Sequence, residues 1–175
     1  MNGFVIASDI HGSALWCERL IEKINSIAPE KVILLGDILY HGPRNDLPDE
    51  YAPKKVISLL APLSDKIICV RGNCDTEVDQ MVLDFPILSE SAYICAFGQT
   101  VFATHGHIFS PDSPPKLADG DILLYGHTHV PQDEVMDIGG KHIRCINPGS
   151  VSIPKNGSAH RALHWHDGVF DEILL

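Results

Sequence analysis

The sequence predicts an α/β fold whose first half is a parallel β-α-β-α-β unit and whose second half is mainly antiparallel. Three observations lead there. Short runs rich in Val and Ile recur along the chain, two amphipathic helical segments separate the first three runs, and from Tyr93 onward the runs crowd together with only turn residues between them. Alternating strand and helix patterns pair in parallel through right-handed crossovers, whereas strands joined by tight turns pair antiparallel.

Residues 4–7 form the first expected strand. A helix over 13–27 follows, with Leu15, Leu20, Ile21 and Ile24 spaced by three and four on one face, Ser13 as N-cap and Pro29 as a stop. Strands are expected at 32–35 and 67–70, with a helix over 52–60 between them that presents Val56, Leu59 and Leu60 on one face. Beyond them come strands at 93–97, 101–103, 122–125, 143–146, 162–166 and 169–174. Gly98-Gln99, Gly139-Gly140 and Asp167-Gly168 serve as turns, the last a tight hairpin. No repeat or linker divides the chain, so a single domain over 1–175 is expected. The Pro-rich stretches 47–53 and 111–115 read as surface loops beside a site.

The bulk properties exclude several classes. At 175 residues the chain has the size of one typical domain and needs no covalent staples. Its five cysteines (Cys17, Cys69, Cys74, Cys95, Cys145) are scattered, odd in number and without a C-x-x-C pair, which fits free thiols in the cytoplasm better than a disulfide framework or a zinc ribbon. No apolar stretch reaches membrane-spanning length, so no membrane partner is expected. A net charge of −10 with no basic cluster argues against nonspecific nucleic-acid binding and against a nuclease, which needs a basic track. A phosphorylated substrate stays compatible, because bound cations make a site locally positive on an acidic protein.

Five short motifs stand at or just after expected strand ends: Asp9-Ile10-His11, Gly36-Asp37, Gly72-Asn73-Cys74-Asp75, Thr104-His105-Gly106-His107 and Gly126-His127-Thr128-His129. In open α/β sheets, ligands gather where the carboxyl ends of strands release their loops. D-x-H or Gly-Asp alone is commonplace, but Gly-His-x-His is expected only about 0.01 times per chain of this length. Imidazole, carboxylate and amide oxygen form a borderline-to-hard donor set suited to Mn²⁺, Fe²⁺ or Zn²⁺ in sites with open positions. His107 stands between two readings, a loop residue bonded to backbone and a group that touches substrate. His41 and Arg44, in His41-Gly42-Pro43-Arg44-Asn45, stand between a solvated loop and a phosphate contact. His142, His160, His164 and His166 carry no motif and read as ordinary sheet and loop residues.

In this order the motifs resemble those of the calcineurin-like metallophosphoesterase superfamily. Through His41-Gly42-Pro43-Arg44-Asn45, Gly72-Asn73-Cys74-Asp75 and Asn147-Pro148-Gly149-Ser150-Val151-Ser152 the chain is similar to the YfcE-type bacterial phosphodiesterases over nearly its whole length. The resemblance implies a β-sandwich of mixed sheets flanked by helices in α/β/β/α layers. It implies two divalent metal ions per chain, with Mn²⁺ foremost and Zn²⁺, Fe²⁺ or Ni²⁺ as alternatives. One ion would be held by Asp9, His11, Asp37 and His129, the other by Asp37, Asn73, His105 and His127. It further implies hydrolysis of a small phosphate ester, a diester first, by attack of a metal-bridging hydroxide on phosphorus, with Asn73, Asp75 and His107 as catalytic participants. Asp75 would act by orienting a neighbour.

Many members of the superfamily carry His where this chain has Cys74. A thiol is the poorer general acid, which favours esters with good leaving groups. His41, Arg44 and Cys74 are the candidate substrate contacts. A phosphomonoesterase with the same site and a noncatalytic scaffold of the same fold are the rival readings. A homo-oligomer is compatible with the resemblance.

Overall fold

The computed structural model describes residues 2–175. Its elements, in chain order, are β1 (Phe4–Ala7), α1 (Ala14–Ile27), β2 (Lys31–Leu34), α2 (Pro53–Leu60), β3 (Ile67–Cys69), the one-turn α3 (Glu77–Gln80), β4 (Ser91–Ala96), β5 (Gln99–Thr104), β6 (Ile122–Leu124), β7 (Gln132–Asp137), β8 (His142–Asn147), β9 (Arg161–His166) and β10 (Val169–Leu174). A 3₁₀ turn, Ala61–Leu63, extends α2.

Two five-stranded mixed sheets form, in the orders β10-β9-β1-β2-β3 and β4-β5-β6-β8-β7. The expected parallel unit is there: β1 pairs with β2, and β2 with β3, in parallel. The later strands are mostly antiparallel, as in β4/β5, β7/β8 and β9/β10, but β5, β6 and β8 run parallel in the middle of the second sheet. The turns expected at Gly139-Gly140 and Asp167-Gly168 are there, while the one expected at Gly98-Gln99 falls one residue earlier, at Phe97-Gly98, because Gln99 pairs in β5. All six turn residues have positive φ, which suits the twist of two-residue hairpins.

Strand alternation sorts the apolar residues into layers. Val5, Ala7, Val32 and Leu34 face α1 and α2, where they meet Cys17, Leu20, Ile24, Val56 and Leu60. Phe4, Ile6, Ile33 and Leu35 face the other way, against Val101, Ala103, Ile122, Leu124 and Ile146 of the second sheet. Trp165 closes this inter-sheet core fully buried, its ring stacked on Phe4 and Phe170 and its Nε1 donating to Gln99 Oε1 at 2.9 Å. The fourth layer departs from the expected helix: Phe109 and Leu117, from the segment 105–121, cover Phe102, Leu123 and Ile143. That segment holds Pro111, Pro114 and Pro115, which deny a helix its hydrogen bonds.

α1 begins as expected at Ser13, whose Oγ accepts from Trp16 N, and it ends at Ala28 in the left-handed region just before Pro29. The consequence of this topology is directional. β1, β2 and β3 in one sheet and β5, β6 and β8 in the other release their following loops at one end of the sandwich.

Candidate metal centre

All five motifs converge there. Asp9 and His11 follow β1, Asp37 follows β2, Asn73 follows β3, His105 follows β5, and His127 and His129 follow β6. Asp9, His11, Asp37, His127 and His129 all adopt positive φ, between 48° and 66°. Such backbone costs an L-residue roughly 1–3 kcal/mol and persists where surrounding contacts over-determine it. Two glycines make room: a Cβ on Gly72 would lie 2.1 Å from Asp37 Oδ1, and one on Gly126 would lie 2.0 Å from Ser8 Oγ.

Side-chain geometry divides the cluster into two neighbouring groups around shared carboxylates. In the first, Asp9 Oδ1 lies 3.5 Å from His11 Nε2 and 3.3 Å from His129 Nε2, and the two Nε2 atoms are 3.3 Å apart. In the second, Asp37 Oδ2 lies 3.4 Å from His105 Nε2, which in turn lies 3.1 Å from Asn73 Oδ1. Asp37 Oδ2 is also 3.7 Å from His11 Nε2 and so stands between the two groups. The His127 ring lies 5.1 Å from that of His105.

The orientation of the imidazoles shows what they face. His11, His105 and His129 each direct Nδ1 at a backbone carbonyl, of Tyr40 (2.7 Å), Leu35 (2.6 Å) and Ile153 (2.6 Å). A carbonyl only accepts, so each Nδ1 carries a proton and each ring turns its Nε2 into the cluster, a bare lone pair whenever the ring is neutral. Two lone pairs 3.3 Å apart repel unless a proton or a metal cation lies with them. Asp9 Oδ1 is buried with no hydrogen-bond donor, although Oδ2 accepts from Ser8 Oγ and His127 N. Inward lone pairs and an orphaned carboxylate oxygen fit divalent cations, and so does the donor set of imidazole, carboxylate and amide.

Electrostatics without the ions point the same way. Burial would raise Asp9, but His11, His105 and His129 outweigh it and hold the carboxyl well below the usual range. Asp37 is lowered against burial by His105. Burial opposes charge on His105, yet Asp37 and Asp9 carry it up to about 9, and His11 is raised against burial by the same carboxylates. His127 and His129 are pulled down by burial.

The remaining expected residues are placed as follows. Asp75 is buried and touches no cleft space: Oδ2 accepts from Asp37 N (2.8 Å) and Gly72 N (2.7 Å), and Oδ1 from Ile38 N (2.9 Å), so it fixes the backbone that carries Asp37. Arg44, Asn73 and Cys74 line the open cleft of about 490 Å³ above the cluster. Cys74 Sγ also lies within 4.8 Å of ligand atoms of His11 and Asp37, and burial pushes the thiol far up, so it keeps its proton. His107 is exposed beside the second group, its ring 5.3 Å from that of His105, outside the cleft lining. His41 is likewise outside it, its ring edge-on to Tyr40 and Tyr51. As expected, His142, His160, His164 and His166 lie away from the centre; His160 stacks on Trp16.

Several residues of the site escape motif reading. Ser150 Oγ (3.0 Å) and Ser152 Oγ (3.1 Å) both donate to Asp9 O, and Asn147 Nδ2 donates to Gly126 O at 2.8 Å. The segment 147–152 thus braces two ligand loops at once. Lys155 lines the cleft and carries no motif at all. The motif over 147–152 marked a resemblance without assigning these residues a role, and Lys155 had no signal beyond a polar run after a strand.

A two-sheet α/β sandwich with clustered His and Asp side chains at its loop end defines a metal-dependent hydrolase class, and comparison with known proteins gives the family. A model of the calcineurin-like phosphoesterase superfamily domain matches residues 3–166, and the chain belongs to that superfamily. It is 48% identical over 158 residues to the phosphodiesterase YfcE of Escherichia coli (strain K12), covering 90% of this chain and 84% of that protein. The solved structure of YfcE, a phosphoesterase from E. coli, superposes with a TM-score of 0.89 at 41% identity, covering 98% of each chain. A zinc-complexed Vps29 from Entamoeba histolytica shares the fold alone, with a TM-score of 0.54 at 19% identity over 95% of this chain and 88% of that one.

Proposed function

We propose that this protein is a metal-dependent phosphodiesterase acting on a small phosphate ester, with two divalent ions, Mn²⁺ foremost, held between Asp9 and His129. The observation that carries this reading is the shared carboxylate: Asp37 Oδ2 stands 3.7 Å from His11 Nε2 and 3.4 Å from His105 Nε2. In this reading Asp9, His11, Asp37 and His129 hold one ion, and Asp37, Asn73, His105 and His127 hold the other. Divalent ions bound there supply Lewis acidity toward phosphoryl oxygens and make water acidic enough to ionise near neutral pH.

The chain's own residues perform the rest. The Nδ1 bonds of His11, His105 and His129 keep each Nε2 lone pair aimed inward, so little reorganisation is needed on loading. Asp75 holds the Asp37 loop, and neutral Asn73 supplies an amide oxygen where a third carboxylate would cancel positive charge. Cys74 offers only a thiol, a poorer leaving-group acid than an imidazolium, and His107 reaches a leaving group only from the rim. Esters whose leaving groups depart without protonation, such as aryl esters, are the favoured substrates. One domain over 1–175 is supported by a core shared between both sheets. Residence in the cytoplasm is supported by five unpaired cysteines. No helix among the described residues is long and apolar enough to cross a membrane.

The test is a metal-resolved assay of chelated and reloaded protein against phosphate monoesters, diesters and cyclic nucleotides. Mn²⁺ should restore hydrolysis, with aryl diesters above monoesters. Faster turnover of monoesters would overturn the diesterase reading, and no hydrolysis with any metal would leave the scaffold reading.

A further inference from the structure

Two cations of the cleft have no task in the chemistry above. Arg44, in the loop after β2, and Lys155, in the loop after β8, both line it. Among the described residues Arg19, Lys55, Arg71, Arg144 and Arg161 each face a carboxylate, whereas Arg44, Lys155 and six other lysines do not, and of those eight only Arg44 and Lys155 line the cleft. Among the described residues no carboxylate lies within 4.0 Å of the side-chain nitrogens of Arg44 or Lys155. Two exposed cations left free at the mouth of one cleft, in so acidic a protein, point to an anion supplied from outside.

The metal centre alone does not account for them. Two divalent ions set against Asp9, Asp37 and one hydroxide leave about +1, which already balances the single negative charge of a diester, so Arg44 and Lys155 add positive charge that a simple diester leaves unmatched. Arg44 and Asn45 also form the wall between this cleft and a second hollow of about 490 Å³, lined on its other sides by Leu47, Pro48, Ile153 and Pro154. Asp46 and Asp49 border that hollow as well, so a second anion belongs at the shared wall beside Arg44 and not deep in the hollow.

We propose that the substrate is a phosphodiester carrying a second phosphate group, which Arg44 and Lys155 grip while the organic body lies in the adjoining hollow. This rests on the phosphodiesterase reading and narrows it to a class. A guanidinium fork matches a phosphate with two parallel hydrogen bonds, and a lysine ammonium adds a mobile point charge.

A matched pair of esters tests it: thymidine 5′-(p-nitrophenyl phosphate) with and without a 3′-phosphate, assayed on the Mn²⁺-loaded protein, Arg44→Gln, Lys155→Gln and the double variant. The 3′-phosphate should raise kcat/KM at least about tenfold in the unsubstituted protein, mainly through KM, as one or more charge-assisted hydrogen bonds would. Each single variant should lose part of that advantage and the double variant nearly all of it. Equal kcat/KM for the two esters, or an advantage that survives in the double variant, overturns the proposal. Calorimetric binding of thymidine 3′,5′-bisphosphate against thymidine 5′-monophosphate reads the same grip without turnover. A preference for the bisphosphate that the double variant loses supports the grip even if neither ester is cleaved, in which case only the diesterase reading fails. Equal affinities overturn it. Both positions are exposed, so the variants keep their fold, which circular dichroism checks.

Discussion

Replacing Asp75 by Asn changes no volume and touches no cleft atom, yet it should weaken the metal centre from behind. The carboxylate accepts three backbone bonds of 2.7, 2.8 and 2.9 Å, from Gly72, Asp37 and Ile38. An amide keeps one acceptor oxygen, which at best retains the Asp37 and Gly72 donors, and turns an NH₂ toward Ile38 N. One charge-assisted bond worth about 1.5–3 kcal/mol is lost, and the two that remain fall to roughly half strength as neutral bonds. The sum is about 3–6 kcal/mol, felt as lower stability and as a less fixed Asp37, with the low end favoured because burial already opposes the Asp75 charge. Denaturant unfolding of the chelated protein should show a loss of about 3 kcal/mol, and calorimetry a roughly 10–100-fold weaker metal affinity, typical when a ligand's supporting partner is removed. KM for a small diester should change little, since Asp75 lines no part of the cleft. A variant within about 0.5 kcal/mol of the parent, the usual spread of neutral substitutions, with full metal affinity would refute the reasoning.

Other outcomes follow from the same geometry. In the metal-free protein His105 titrates at about 9, so at pH 7 it holds a proton that a metal must displace. Calorimetry in buffers of different ionisation enthalpy should show about one or more protons released and affinity rising with pH until about 9; zero release would contradict the shift. The stability that protonated His105 gives the metal-free protein is complete below its ordinary value of 6.5 and lost as the pH rises through 9, so chelated protein should weaken over that window while loaded protein does not. Gly126→Ala places a methyl 2.0 Å from Ser8 Oγ and 3.1 Å from Asp9 Oδ2, and should abolish turnover and lower Tm; an active, equally stable variant would show that the approach is not that close. Trp165→Ala should cost about 3–5 kcal/mol in denaturant unfolding, because it empties the closed end of the inter-sheet core.

Much of this was legible because the chemistry sits on strand ends. Val32, Ile33 and Leu34 announce a strand buried on both faces, and Gly36-Asp37 then announces a sharp exit carrying a candidate ligand. Gly72 and Gly126 are informative for the same reason, since a side chain at either would collide with the site. β7 was not legible: Gln132–Asp137 is an exposed edge strand whose apolar Val135 and Met136 stand side by side, without alternation. Nor was the parallel run of β5, β6 and β8, which depends on long-range pairing that local patterns do not encode. Lys155 carried no motif, and Ser150 and Ser152 marked a resemblance without a role, because the serines' bonds to Asp9 O arise only when the loop after β8 folds back. His41, which stood between a solvated loop and a phosphate contact, packs edge-on against Tyr40 and Tyr51 outside the cleft lining, a placement that only the folded loop reveals.

An equilibrium titration of chelated protein with Mn²⁺, followed by calorimetry and by elemental analysis after desalting, decides whether these distant side chains make one cage. Two ions per chain should bind, and Asp37→Ala, which removes the carboxylate between both groups, should weaken the two together and abolish hydrolysis. Saturation at zero ions, or an Asp37→Ala protein that binds two ions and turns over normally, would contradict it.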